Sequence, residues 1–467
     1  MVFSSTTFLF IFLPIVFLLY IPLGPRLRNI LLLFASLIFY AWGEPLFVFV
    51  MLASILLNFG FARLIDAGKT DRARRGFVAA AVILNLLLLI VFKYTNFIVD
   101  NINAAFNLNL QIQKITLPIG ISFFTFQAMS YIIDVYREKN RSEKSIMNAA
   151  LYISFFPQLI AGPIVKYHDI AEQIKAREMT TDKVFSGLQR FIIGLSKKLL
   201  IANTVGKVAD TIFASAPSAL SAGLAWLGAV AYALQIYFDF SGYSDMAIGL
   251  ALLFGFDLKE NFNYPYISRS IREFWRRWHI SLSTWFKEYL YIPLGGNRKG
   301  KVRTGITLFI VFLCTGIWHG AAWNFLVWGL FNGLFILLEN YHVIETDKWP
   351  KIFSHLYASL VFVIGFTIFR APDLTYAVQF IGSMFSGTAT QASHVLLADV
   401  ASPLMWTVLV AAVFAALPIV PKVKTFLSEK HAPLLERTAF GVTLALLALC
   451  ILNISAATFN PFIYFRF

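Results

Sequence analysis

One histidine, His319, stands in the stretch TGIWHGAAWNFLVWG, between Trp318 and Gly320 in an otherwise apolar run. A neutral imidazole is buried at modest cost and can take or give a proton near pH 7. Gly316 and Gly320 flank it at i−3 and i+1, where backbone can approach a ligand closely. The plain alternative is a histidine satisfied by aromatic neighbours in a packed core. A second histidine, His279, falls in SRSIREFWRRWHISLSTWFKEYLYIPLGGNRKGK. A helix through it puts Arg272, Arg276 and His279 on one face. Trp275, Trp278 and Trp285 would mark an interfacial depth, which also fits a helix lying on the membrane with its arginines on lipid phosphate. Pro293, Gly295 and Gly296 end that helix, and the basic NRKGK loop suits an anionic cytosolic ligand with several phosphates. A third cluster, YFDFSGYSDMAIG, sets Asp239, Ser241, Tyr243, Ser244 and Asp245 between apolar flanks. Paired carboxylates there read as a proton relay or cation site, or as acids held by helix ends and arginines.

Other chemistries lack their signatures. The seven histidines make no HExxH and no helical pair, so no metal is expected. A Ser-His-Asp triad has no GxSxG elbow, and Walker and GxGxxG motifs are absent. Cys314 and Cys450 both sit in apolar runs and give neither a disulfide framework nor metal spacing.

The elements that must position these residues are set by composition. Of 467 residues, 58% are hydrophobic and only 14% charged, against about 25% charged in soluble domains. That excludes an ordinary soluble enzyme, a disordered chain and a coiled coil, and makes the bilayer the solvent. The net charge of +14 reads as basic loops facing anionic lipid heads, with no nucleic-acid partner. The N-terminal apolar run reaches Leu23 with no basic n-region and no cleavage site, so it reads as a retained span.

Twelve candidate spans follow: 7–23, 28–43, 46–65, 77–99, 117–136, 184–204, 221–250, 304–320, 323–341, 353–370, 403–420 and 438–458. Basic loops place GKTDRARR (68–75), 137–147 and 421–437 in the cytoplasm and both termini outside. Segment 259–303 holds ten basic and three acidic residues and must also face the cytoplasm. Both flanks of 148–165 are basic, and it contains Pro157, Gly162 and Pro163, so it reads as re-entrant and covered by protein or a cavity. Lys197 and Lys198 lie deep in their proposed span without a sequence-level explanation. No internal repeat of the kind inverted-repeat transporters carry is evident.

REFWRRWHISLSTWFKEYLYIPLGGNR (272–298) and GIWHGAAWNFLVWG (316–329) resemble the membrane-bound O-acyltransferase superfamily. The nearest likeness is to bacterial members that O-acetylate exported polysaccharides, the alginate and peptidoglycan O-acetyltransferase membrane subunits. VFSSTTFLFIFLP, PQLIAGPIVKY (157–167), DFSGYSDMAIG (239–249) and NPFIYFRF (460–467) share it, so it covers essentially the whole chain. The resemblance implies an all-α polytopic membrane protein. A ring of tilted transmembrane helices would surround a central tunnel, with re-entrant and interfacial helices, as one integral-membrane domain over 1–467. His319 matches the family's central histidine and His279 its second, cytoplasmic-side histidine.

Acetyl-CoA is then the donor substrate, with no permanently bound cofactor. Its phosphates would meet Arg276, Arg277, Lys287, Arg298 and Lys299, and the tunnel's polar lining would include Asp239, Ser241, Asp245, Trp318 and Asn324. Acetyl would pass to an extracytoplasmic hydroxyl of a polysaccharide at a bacterial inner membrane, through a secreted or periplasmic esterase-like partner. The terminal FIYFRF resembles the C-terminal tyrosine motif of the partner peptide in D-alanylation, which makes Tyr464 a candidate acyl acceptor; an aromatic-belt tail at the interface is equally open. Three readings compete: a proton-coupled transporter using Asp239, Asp245 and His319, a scaffold docking a secreted enzyme, and an acyltransferase acting on a lipid or protein hydroxyl.

Overall fold

The computed structural model describes residues 1–137, 141–456 and Phe462, without the side chains of 424 and 428–433. The described chain is built of helices and their connections, with no strand among the described residues. In hydrocarbon a helix satisfies its own backbone groups, and this apolar chain has no water to do so. Among the described residues, six helices are long and apolar enough to cross a membrane: Phe47–Ala67, Asp71–Phe106, Ala222–Leu253, Gly300–His319, Lys351–Arg370 and Leu434–Ala456. A seventh results if Gln391–Val400 and Pro403–Ala415, bent by 76°, form one span.

This is fewer than the twelve apolar windows suggest, for local reasons. Pro25–Ala41 and Ile121–Tyr136 have 17 and 16 residues, short of the ~20 that cross perpendicularly. The first window gives one helix, Phe8–Tyr20, whose π-turn of 5 residues runs on into 8 residues of α-helix, and it is shorter still. The 184–204 window carries three basic residues, Arg190, Lys197 and Lys198, along its helical run. Trp323–Asn340 has the length but carries Asn324, Asn332 and Glu339.

The chain divides into two compact units. The first comprises Met1–Phe191 and Met246–Lys259. Its core is aromatic: Phe8 packs on Phe12 and Phe39, and Phe12 meets Phe156 edge-on at 5.5 Å. Asn58 and Asn85 exchange two hydrogen bonds, 3.1 and 2.8 Å, joining the Phe47–Ala67 and Asp71–Leu89 helices where no water competes. The segment expected to be re-entrant is helical over Ile146–Ser154, breaks at Phe155, and makes one turn at Phe156–Leu159. Every residue from 149 to 167 is buried. The break is stitched internally: the Phe156 N–H donates to Ser36 Oγ, and Gln158 Nε2 to the Tyr152 carbonyl. A Cβ on Gly162 would lie 2.6 Å from Gln158 Cα, so the turn-back admits only glycine without rearrangement. The segment is thus irregular backbone covered by protein, the condition under which it is tolerated.

The second unit comprises Ile192–Asp245 and Glu260–Phe467. Its centre is the hairpin of Gly300–His319 and Trp323–Asn340, with Lys351–Arg370 packed on the second helix. Gly316 and Gly329 let the hairpin backbones touch. A Cβ on Gly329 would sit 2.5 Å from the Phe312 carbonyl oxygen, and one on Gly316 2.6 Å from that of Phe325. Small residues at such crossings are how helices associate where the surroundings are as apolar as their side chains. Gly329→Leu is therefore expected to lower the midpoint of thermal unfolding in detergent and the yield of folded protein. An unchanged midpoint would contradict the backbone contact.

Candidate active site

His319 is the last residue of the Gly300–His319 helix; Gly320 follows in extended conformation. A side chain at Gly320 would overlap the Phe325 ring, so the chain leaves the helix directly beneath that aromatic. The imidazole is buried and walled by rings: Trp318 at 5.0 Å, and Trp328 and Phe369 edge-on at 4.9 and 5.3 Å. Asn324 fixes one of these walls. Its Nδ2 donates to the Ala371 carbonyl at 2.9 Å, holding the end of the helix that carries Phe369. Asn324 Oδ1 is buried with no hydrogen-bond partner among the described residues.

His279 does not share a helical face with Arg272 and Arg276. The Ile271–Arg277 helix stops, Trp278 is extended, and His279 adopts a left-handed backbone (φ 44°, ψ 54°) before a new helix, Ile280–Phe286. That conformation costs a residue with a Cβ about 1–3 kcal/mol and persists only where surroundings impose it. Here segment 261–263 imposes it. The Asn263 N–H donates to the Arg277 carbonyl and the Ile280 N–H to that of Asn261, each at 2.9 Å. The Asn261 side chain adds three contacts through Oδ1: Ser281 N at 3.2 Å, Ser281 Oγ at 2.9 Å and His279 Nδ1 at 3.1 Å. Its Nδ2 donates to Ser244 Oγ at 3.0 Å.

The His279 ring is buried, packed edge-on against Phe240 at 4.7 Å, and its Nε2 has no hydrogen-bond partner among the described residues. Burial pushes its pKa down to about 3, so the ring is neutral at physiological pH. Trp318 stands beside both imidazoles, 6.3 Å from His279 and 5.0 Å from His319 between ring centroids. Two histidines forty residues apart in sequence thus flank one indole.

The acidic cluster has a different character from a paired-carboxylate relay. Asp239 lies 2.5 Å from Lys198 Nζ, and Asp245 lies 2.6 Å from Lys197 Nζ. These pairs account for the two lysines that the sequence left unexplained. The π-turn begins at Lys197, and the two ammonium groups reach acids about 9 Å apart along Ala222–Leu253. Close approach permits it: a Cβ on Gly242 would be 2.7 Å from the Gly194 carbonyl oxygen. Ser241 is buried, and its Oγ has no partner among the described residues.

Of the basic residues expected to meet a polyanionic donor, Arg276, Lys287, Arg298 and Lys299 are exposed. Arg277 is half-buried and committed to Glu273 at 2.9 Å. The loop that carries Arg298 and Lys299 bends through Gly295, Gly296 and Gly300, all at positive φ. Trp278 and Trp285 are 4% exposed, so they are core residues and not interfacial anchors. Tyr464 lies outside the described residues. Phe462, which is described, is buried against Tyr243 at 4.7 Å and Phe240 at 6.2 Å, the same Phe240 that packs on His279.

Two positioning residues escape the sequence reading. Glu339, its side chain fully buried, accepts from the backbone N–H groups of Ile271 (2.7 Å) and Arg272 (3.0 Å) and from Tyr357 OH. It caps the short helix that leads into His279. A lone carboxylate in an apolar run was a signal for it. Asn261, a neutral amide in a polar connection, offered none.

A model of the membrane-bound O-acyltransferase family matches residues 34–348. The chain is 41% identical to the probable alginate O-acetylase AlgI of Azotobacter vinelandii, over 100% of both chains. It is 36% identical to the peptidoglycan O-acetyltransferase of Helicobacter pylori, over 84% of this chain and 81% of that one. A more distant similarity, 28% over 51% of this chain and 62% of the other, links it to the teichoic acid D-alanyltransferase of Bacillus subtilis.

Removing one member of a buried ion pair leaves the other charge uncompensated, typically at about 3–5 kcal/mol. Lys198→Ala should therefore destabilise the protein by that order, while Lys198→Met with Asp239→Leu should recover much of the loss. Thermal unfolding of the single and double variants checks it. A harmless Lys198→Ala would show the pair to be dispensable.

Proposed function

The chain belongs to the membrane-bound O-acyltransferase family and is a multi-pass membrane acyltransferase, and from that premise we propose that it moves acetyl from cytoplasmic acetyl-CoA to an extracytoplasmic polysaccharide hydroxyl. The observation that carries the proposal is the pair of buried imidazoles flanking Trp318. In the transfer the acceptor oxygen attacks the thioester carbonyl, a C–O bond forms and the C–S bond breaks. The hydroxyl proton goes to an imidazole and then to the departing thiolate, so CoA leaves as the free thiol. His319 is assigned the hydroxyl proton. His279, neutral and with Nε2 unbonded by the described residues, supplies a second acceptor beyond the indole. Buried surroundings exclude the water that would otherwise hydrolyse the thioester.

The donor's phosphates are assigned to the basic segment containing Arg276, Arg277, Lys287, Arg298 and Lys299, four of which are exposed. Exported or cell-wall polysaccharide is the proposed acceptor class, in line with the names of the alginate and peptidoglycan O-acetylating relatives. We place the chain in a bacterial cytoplasmic membrane with both termini outside, working with an extracytoplasmic partner that hands acetyl to the polymer. A relay through Tyr464 is a second reading, favoured by the burial of Phe462 beside Phe240 and Tyr243. In it the phenol oxygen takes acetyl from CoA as an aryl ester and passes it on.

Acetyl transfer in proteoliposomes loaded outside with radiolabelled acetyl-CoA tests the main reading. The wild-type chain should release free CoA and label the acceptor, and His319→Ala should slow this on the order of 10²- to 10⁴-fold. Intact acetyl-CoA or polymer crossing the bilayer without deacylation would instead mark a transporter. Tyr464→Phe should abolish polymer acetylation; unchanged acetylation removes the relay and leaves the rest standing.

A further inference from the structure

Resting on the acyl transfer proposed above, we infer that Asn261 is a positioning residue that holds the His279 ring with its hydrogen on Nδ1 and its lone pair on Nε2.

The assignment follows from a group whose polarity is not in question. A backbone N–H can only donate, and that of Ser281 points at one atom of the Asn261 carboxamide at 3.2 Å. That atom is therefore the oxygen, and the other, 3.0 Å from Ser244 Oγ, is the nitrogen. A carboxamide oxygen can only accept. His279 Nδ1 lies 3.1 Å from it, so the contact is a hydrogen bond only when Nδ1 carries the hydrogen. A neutral imidazole has one N–H, so Nε2 is left as a bare acceptor. It is buried, with no partner among the described residues. An incoming hydroxyl or water can then give its proton to that nitrogen. The opposite tautomer would present an N–H there and could not take one.

The backbone of Asn261 works with its side chain. Its carbonyl accepts from the Ile280 N–H at 2.9 Å. One residue thus holds the ring of His279 and the chain just after it, and pins the left-handed turn between the two short helices. A carboxamide suits the task better than a carboxylate. It accepts from Ser281 and His279 while donating to Ser244, and it adds no charge that would draw a second proton onto the ring. Charged groups on the adjoining elements have partners of their own or reach solvent. Asp239 and Asp245 are paired with Lys198 and Lys197, Arg277 with Glu273, and Arg276 is exposed. His319 lies beyond Trp318. Burial, which lowers the pKa of His279, keeps the ring neutral so that the tautomer is the remaining choice.

Solid-state NMR of the full chain in bilayers, with histidine rings labelled in nitrogen-15, reads that choice directly near neutral pH. The His279 signals are identified by their loss in His279→Asn. The expected wild-type spectrum has a protonated Nδ1 and an unprotonated Nε2. In Asn261→Leu this signature should be lost and acetyl-CoA turnover should fall on the order of 10²-fold. A wild-type ring protonated at Nε2 overturns the inference, and that spectrum decides even if the leucine variant fails to fold. Turnover lost with the tautomer intact also overturns it, because Asn261 would then be only structural. Failure of the wild-type chain to turn over acetyl-CoA, with the tautomer as stated, would sink the acyl-transfer reading and leave the hydrogen-bond arrangement standing.

Discussion

A polar atom inside this chain has no water to fall back on, and the architecture follows from the ones that are answered from within. Glu339 meets two backbone amides at the start of a seven-residue helix. Asn58 and Asn85 answer each other across two helices. Lys197 and Lys198 neutralise the two acids of the Ala222–Leu253 helix. Asn261 answers an imidazole, two hydroxyls and a backbone amide at once. An unanswered group of this kind costs about 1–3 kcal/mol, more for a charge, so these bonds fix the helix positions more sharply than apolar packing among Leu and Phe does.

Both histidines stand where a helix ends, and this arrangement is what the site is made from. His319 closes a long helix whose neighbour touches it backbone to backbone through Gly316 and Gly329. His279 sits in the break between two helices of seven residues each, too short to cross a membrane. Rigid elements thus deliver the imidazoles to one tryptophan, while the irregular backbone at His279 is held by two backbone bonds to segment 261–263 and by the Asn261 side chain. Buried aromatics fill the remaining space: Trp328 and Phe369 around one ring, Phe240 against the other.

Much of this is legible in the amino-acid sequence, and what is not has identifiable causes. The membrane class follows from the scarcity of charge, and the histidines stand out because their flanking motifs are long and specific. The apolar windows overcount membrane-length helices because a window average does not register where a helix ends, as at Tyr20, Ala41 and Tyr136, or the three basic residues within 184–204. Helical spacing puts His279 in line with Arg272 and Arg276, but bonds from residues 261 and 263 turn the backbone left-handed there. The tryptophans read as interfacial anchors because their type favours that role; Trp278 and Trp285 are instead buried, Trp278 against Phe274 and Phe366 and Trp285 against Phe286 and Tyr289. Lys197 and Lys198 stay opaque in sequence because their partners lie more than forty positions downstream.

The π-turn at Lys197–Ala202 has a consequence for how this chain can vary in length. A π-turn amounts to one residue inserted into an α-helix, and each residue of an α-helix advances the azimuth by about 100°. Deleting one position there would swing all that follows by roughly that angle, so a gap between 197 and 202 in any alignment is a rotation of the second helix half and not a trimmed loop. The orientation of the Asn203–Ala214 helix relative to the two lysines is thus set by the number of residues between them, whatever their side chains.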